Sequence, residues 1–153
     1  MTQNDRVRHL AYAGAGAVVF VALLIAGFGA VSFVTRTDVI TVGELGPFPG
    51  ALGVALATVA WFAVAVTTAA RRPGLGTAVV AGLVAAAVHL LAVTVTIAPL
   101  GLVDAGAAAT HLVVGGFTPV VFVAGLLAEV GVAVALRSPG PTARWPWEKH
   151  DDE

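Results

Sequence analysis

Long apolar runs, rather than an alternation of apolar and polar positions, dominate this chain. Residues 10 to 34, LAYAGAGAVVFVALLIAGFGAVSFV, carry no charge. Residues 50 to 70 and 75 to 98 repeat the pattern, and a fourth run extends from 105 to 136. About 20 apolar residues cross a ~30 Å hydrocarbon layer as a helix, so each run predicts a membrane span. Their glycine and β-branched content does not argue against helices, because in lipid every backbone group must be bonded internally. The first run is far longer than the roughly 7–15-residue apolar core of a signal peptide, and no clean small-residue cleavage site follows it. The predicted fold is all-α: one integral membrane four-helix bundle over residues 1–153, up-down-up-down, with a short tail at 137–153. The fourth run is longer than a bilayer core. Pro119 predicts a kink there; alternatively, its first turns lie outside the hydrocarbon.

Composition agrees with the runs. Of 153 residues, 58% are hydrophobic and only 11% charged, with mean hydropathy +0.94. A water-facing surface needs about 25% charged residues, so lipid is the solvent for most of this chain. The net charge of −1 gives no basic field to attract nucleic acid. Cysteine is absent, which excludes disulfides, thiolate metal sites and cysteine nucleophiles.

The few basic residues set direction. Arg6 and Arg8 precede the first span, Arg71 and Arg72 separate the second from the third, and Arg137, Arg144 and Lys149 follow the fourth. In a four-span arrangement these share one side, and Arg36 alone lies on the other. The positive-inside rule then places both termini in the cytoplasm of a multi-pass cell-membrane protein. Short connections make neighbouring helices antiparallel. Arg71-Arg72-Pro73-Gly74 reads as a tight cytoplasmic turn, and residues 35–50 as the sizeable external segment. Asp104 is positioned to cap the fourth span. Trp145 and Trp147, between Arg144 and Lys149, suit the headgroup layer as interfacial anchors.

Inside the spans, polar residues are few enough to follow one by one. Steps of four and three along the fourth span join Asp104, Ala108, His111, Gly115, Thr118, Phe122, Gly125 and Glu129 on one face. Small residues let membrane helices approach closely, so this stripe should face the bundle, with Leu112, Val120, Val123 and Leu127 nearer lipid. The third span has a matching face: Ala78, Gly82, Ala85, His89, Val93 and Thr96. Its small series Ala78, Gly82 and Ala86 predicts a docking seam for the fourth or second span. By helical rise His89 lies roughly 15 Å and His111 roughly 10 Å inside the outer ends of their helices. Both then occupy the outer half of adjacent antiparallel helices, where contact is open to them, and the pairing fails if the fourth span enters the hydrocarbon only near Leu112.

Glu129 lies roughly 10 Å from the cytoplasmic end by the same rise. A charged carboxylate at that depth costs about 2.5–3.5 kcal/mol or more. It therefore calls for a proton, a partner such as Arg137 or Arg72, or water. A proton- or cation-linked role and a contact with another subunit are the functional alternatives to arginine pairing. A histidine in a span needs nothing more than a backbone carbonyl. Two histidines on facing helices also match axial haem ligation, but no further spacing supports it. Zinc would need three or four ligands, and only Asp104, Asp38 and Glu44 accompany the histidines. Trp61, Thr58 and Thr67 on the second span read as packing. No GxSxG, HExxH or phosphate-loop motif occurs, so no catalytic residue, metal or cofactor is assigned.

The external TDVITVGELGPFPG after the first span, the RRPG turn and the proline in the fourth span resemble uncharacterised small four-span membrane proteins of actinobacteria. The resemblance covers most of the chain. It implies the same topology and carries over no activity. The expected function is non-enzymatic: an accessory or assembly partner in the cell membrane, acting on a membrane-protein partner or as a homo-oligomer. The alternative is a small proton- or cation-linked transporter or channel-like protein using Glu129.

Overall fold

A computed structural model describes residues 3–37, 45–69 and 74–137. These form five helices and no strand: α1 Gln3–Thr35, α2 Phe48–Ala69, α3 Leu75–Ile97, α4 Leu102–Val114 and α5 Phe117–Arg137. Four of them, α1, α2, α3 and α5, are each long and apolar enough to cross a membrane, as a multi-pass membrane protein requires. The first three agree with the predicted spans to within a few residues, except that α1 begins earlier, at Gln3.

The fourth predicted span is two helices. Gly115 N–H and Gly116 N–H close α4 onto the carbonyls of His111 and Val113. Gly116 then turns into the left-handed region, φ 88°, where a side chain is disfavoured. Val120 N–H to Gly116 O opens α5. The kink expected at Pro119 is therefore a break three residues earlier. Pro119 sits in the first turn of α5, where a missing N–H removes no helical bond.

Local chemistry explains the other ends. Thr35 donates back to the carbonyl of Val31, and Arg36 then takes a positive φ of 53°. At the start of α3, Gly74 N–H donates to the Thr77 hydroxyl, which donates to the Gly74 carbonyl. Asp104 is not the cap of α4. Gly101 holds that place, and exposed Asp104 lies in the first turn, favourably oriented to the helix dipole.

α1, α2, α3 and α5 form a ring in which α5 closes against both α3 and α1, while α4 packs on α3. α1 and α5 run in opposite directions, since Gly16 meets Val132 and Gly27 meets Val120. The α3 seam docks on α5. A β-carbon on Gly125 would lie 2.9 Å from the Cα of Gly82, and one on Gly82 would lie 2.6 Å from the Phe122 carbonyl oxygen. Lipid gives helices no hydrophobic reason to associate, so close van der Waals contact of this kind holds them together.

Two clusters fill the interior. One centres on Phe20, Trp61, Ala85, Val121 and Ala128; the other joins Val93, Ile97, Ala105, Ala108, Leu112 and Phe117. Leu112 is thus buried, contrary to the lipid-facing expectation, because the break gives α4 its own orientation. Val123 and Leu127 are about half exposed, as expected, and Val120 is intermediate.

Candidate functional site: the polar interior

Glu129 is fully buried on the inner face of α5. One carboxyl oxygen, Oε1, accepts from the Thr68 hydroxyl of α2 at 2.8 Å, and the other has no hydrogen-bond partner among the described residues. Thr68 Oγ1 also lies 2.9 Å from the Val64 carbonyl and 3.2 Å from that of Ala65. A hydroxyl has one proton for these three acceptors. Two arrangements satisfy the geometry. Thr68 donates to a carboxylate, or it donates to its own helix while a carboxylic acid donates to Thr68. Of the two arginines expected as partners, Arg72 lies outside the described residues. The hydrogen bond that holds Glu129 among the described residues comes from Thr68.

One turn along α5, Trp61 Nε1 donates to the Gly125 carbonyl at 2.9 Å. In a regular helix that carbonyl also receives the Glu129 N–H. Trp61 and Thr68 are seven residues apart and share a face of α2. They make two crossings of the bundle interior to α5. The Trp61 ring stacks on Phe20 at 5.6 Å, with 11° between planes. Glycine makes room for it, since a β-carbon on Gly16 would lie 2.7 Å from the indole.

His89 is also fully buried, on α3, and neither ring nitrogen has a hydrogen-bond partner among the described residues. Gly53 of α2 leaves space for the ring; a β-carbon there would lie 3.0 Å from His89 Cδ2. Phe28 packs on the ring at 5.7 Å, Phe117 on Phe28 at 5.8 Å, and His111 on Phe117 at 5.6 Å. Two phenylalanines therefore link the histidines, which do not meet. A bis-histidine haem site has no geometric basis here. No group of three metal-ligating side chains occurs among the described residues.

Thr118 and Glu129 do share the inner face of α5, and the Thr118 hydroxyl is enclosed without a hydrogen-bond partner among the described residues. His111 belongs to the other helix. It lines a cleft of about 570 Å³ with Thr35, Thr37, Thr110 and Gly115, and makes further contacts. Arg8 and Arg137 mark one end of the bundle, Arg8 Nη2 donating to the Leu136 carbonyl at 3.3 Å. Arg71, Arg72, Arg144, Trp145 and Trp147 lie outside the described residues, as does the side chain of Arg6.

Sequence reasoning missed Thr68, Gly53 and Phe28. Thr58 and Thr67, which it noted, bond only to their own helix. The seven-residue spacing from Trp61 to Thr68 was the available signal.

No family model, no curated protein and no solved structure matches this chain.

Proposed function

We propose that the protein is a non-enzymatic accessory or assembly partner in the cell membrane. It threads the bilayer up-down-up-down with α1, α2, α3 and α5, and both termini are cytoplasmic. The observation that carries this reading is the closed interior. Trp61 fills the bundle against Phe20, Gly16 and Gly125, and the α3–α5 backbones touch at Gly82, so one copy offers a solute little room. The location of Arg8 and Arg137 at one end, with Arg36 beyond the far end of α1, supports the orientation. The resemblance to actinobacterial four-span proteins points the same way.

Photo-crosslinking in native membranes tests it. One defined second membrane protein should be recovered, in constant ratio to this chain. Recovery of lipid alone would remove the reading.

A second reading is favoured by one observation, the oxygen of buried Glu129 that has no hydrogen-bond partner among the described residues. It makes Glu129 the protonatable group of a small proton- or cation-linked transporter, assembled from more than one copy. Proteoliposomes with wild type and Glu129→Gln separate the two readings. The accessory reading expects no flux from either, and proton flux lost in Glu129→Gln establishes the second.

A further inference from the structure

The seam between α1 and α5 is the interior's counterpart on the outside of the bundle. Two grooves lie along it. One, about 220 Å³, is lined by Tyr12, Gly16, Val19, Ala128, Gly131 and Ala135. The other, about 470 Å³, is lined by Leu23, Gly27, Pro119, Val123 and Leu127 among others. They follow one another along the same helix pair. Tyr12 to Gly27 spans roughly 22 Å by helical rise, longer than the roughly 15 Å that one leaflet's chains occupy in a ~30 Å hydrocarbon core.

The basic end of this seam is charged. Arg8 lies one turn before Tyr12, with its guanidinium over the Tyr12 ring at 5.8 Å from the centroid. It gives an N–H to the Leu136 carbonyl of α5, and so sits across the mouth between the two helices. A guanidinium has five N–H donors, which leaves Arg8 several for an anion at the mouth. Arg137 ends α5 at the same level.

We propose that the α1–α5 seam holds one anionic phospholipid, with its acyl chain in the grooves and its phosphate on Arg8. The inference rests on membrane placement alone and stands apart from either functional reading. Charge decides among occupants. A phospholipid supplies apolar chain and phosphate in the order the seam presents them, apolar along the grooves and anionic at Arg8. Arginine near a membrane surface favours anionic lipid by about fivefold per residue at ordinary ionic strength.

Gly131 provides a clean probe. A β-carbon there meets nothing within 4 Å, so Gly131→Leu fills the lower groove without entering the core. The full chain, purified in mild detergent and exchanged into equal phosphatidylglycerol and phosphatidylcholine, is weighed by native mass spectrometry. Wild type should retain one phosphatidylglycerol in preference to phosphatidylcholine. Arg8→Gln should lower that preference about fivefold. Gly131→Leu should lose retention of both lipids while keeping the helical circular dichroism and elution volume of wild type. Equal retention of the two lipids by wild type would overturn the proposal. So would a dimer that Gly131→Leu converts to monomer, which would assign the seam to a second copy. If Gly131→Leu fails to fold, Arg8→Gln, an exposed position, still decides the matter: unchanged phosphatidylglycerol preference refutes the assignment.

Discussion

Glu129 and His89 are both ionisable, both fully buried and both in helices long and apolar enough to cross a membrane, yet they are housed in opposite ways. Glu129 is tied across the bundle to Thr68, one turn from a second tie between Trp61 and Gly125. Among the described residues His89 has no hydrogen bond and is held by shape, in the room left by Gly53 and against Phe28. The half of the bundle near Arg8 and Arg137 is joined by close backbones and polar crossings. The half near the α4–α5 break is joined by aromatic packing. A buried ionisable group therefore marks no single kind of site. What distinguishes the two is whether a neighbouring helix supplies a partner.

The comparison breaks most severely at Trp61. Trp61→Ala removes the Phe20 stack and the Gly125 bond, and leaves a cavity bounded by glycines that cannot fill it. A loss of about 3–5 kcal/mol is expected, read as a fall in the thermal midpoint for retaining the monomer in detergent. A loss no larger than that of Trp61→Phe would mean the ring fills nothing. Gly125→Val comes next. Its β-carbon would meet the α3 backbone at Gly82, which cannot move as a side-chain tip can. Overpacking of this kind costs about 1–3 kcal/mol and sometimes more, and the same melt, with α3–α5 disulfide trapping as readout, measures it.

Much of this was legible beforehand, and the reason is physical. Lipid demands long apolar runs with internal backbone bonds, so the α1, α2 and α3 spans stand out in the sequence. The small series Ala78, Gly82 and Ala86 announced a close contact, and Gly82 makes it with α5. The inward position of Glu129 followed from helical period. What periodicity could not supply was the break. A stripe continued from His111 through Gly115 to Glu129 assumes one axis, and Gly116 at φ 88° ends that axis. His111 was therefore grouped with residues it does not join, and Leu112 was turned to lipid when it is buried. Thr68 was missed because threonines in apolar helices ordinarily bond to their own backbone, as Thr58, Thr67, Thr94 and Thr96 do. Only tertiary geometry shows which one reaches further.

The contrast between the two buried groups can be tested at each. Thr68→Val removes the only hydrogen-bond partner of the Glu129 carboxyl among the described residues, at nearly constant volume. An acceptor left unsatisfied in a buried site costs about 1–3 kcal/mol. The double variant Thr68→Val, Glu129→Leu should recover most of that loss, since it replaces both partners by apolar groups. Without recovery, the Thr68–Glu129 pairing is not what the single variant lost. His89→Phe should behave differently. Neither nitrogen has a partner to lose among the described residues, so exchanging the ring for an apolar one of similar outline is expected to change stability by less than about 1 kcal/mol, in the stabilising direction if at all. A loss as large as that of Thr68→Val would show that His89 has a partner, and that the two halves are built alike.

The smallest effect is expected at Pro119, although proline is the residue that first suggests a kink. Val120 N–H is the first amide of α5 to find a helical acceptor, in Gly116 O. Residue 119 therefore has no bond to lose, and Pro119→Ala should shift stability by no more than about 0.5 kcal/mol. Gly116→Ala differs. It places a β-carbon at φ 88°, and a side chain in the left-handed region costs about 1–2 kcal/mol. The chain can relieve that cost by straightening α4 into α5, which would carry Leu112 and His111 away from Phe117. Spin labels on α4 and α5 should then report a lengthened distance for Gly116→Ala and an unchanged one for Pro119→Ala. The opposite pattern would return the break to the proline, where the sequence alone places a kink.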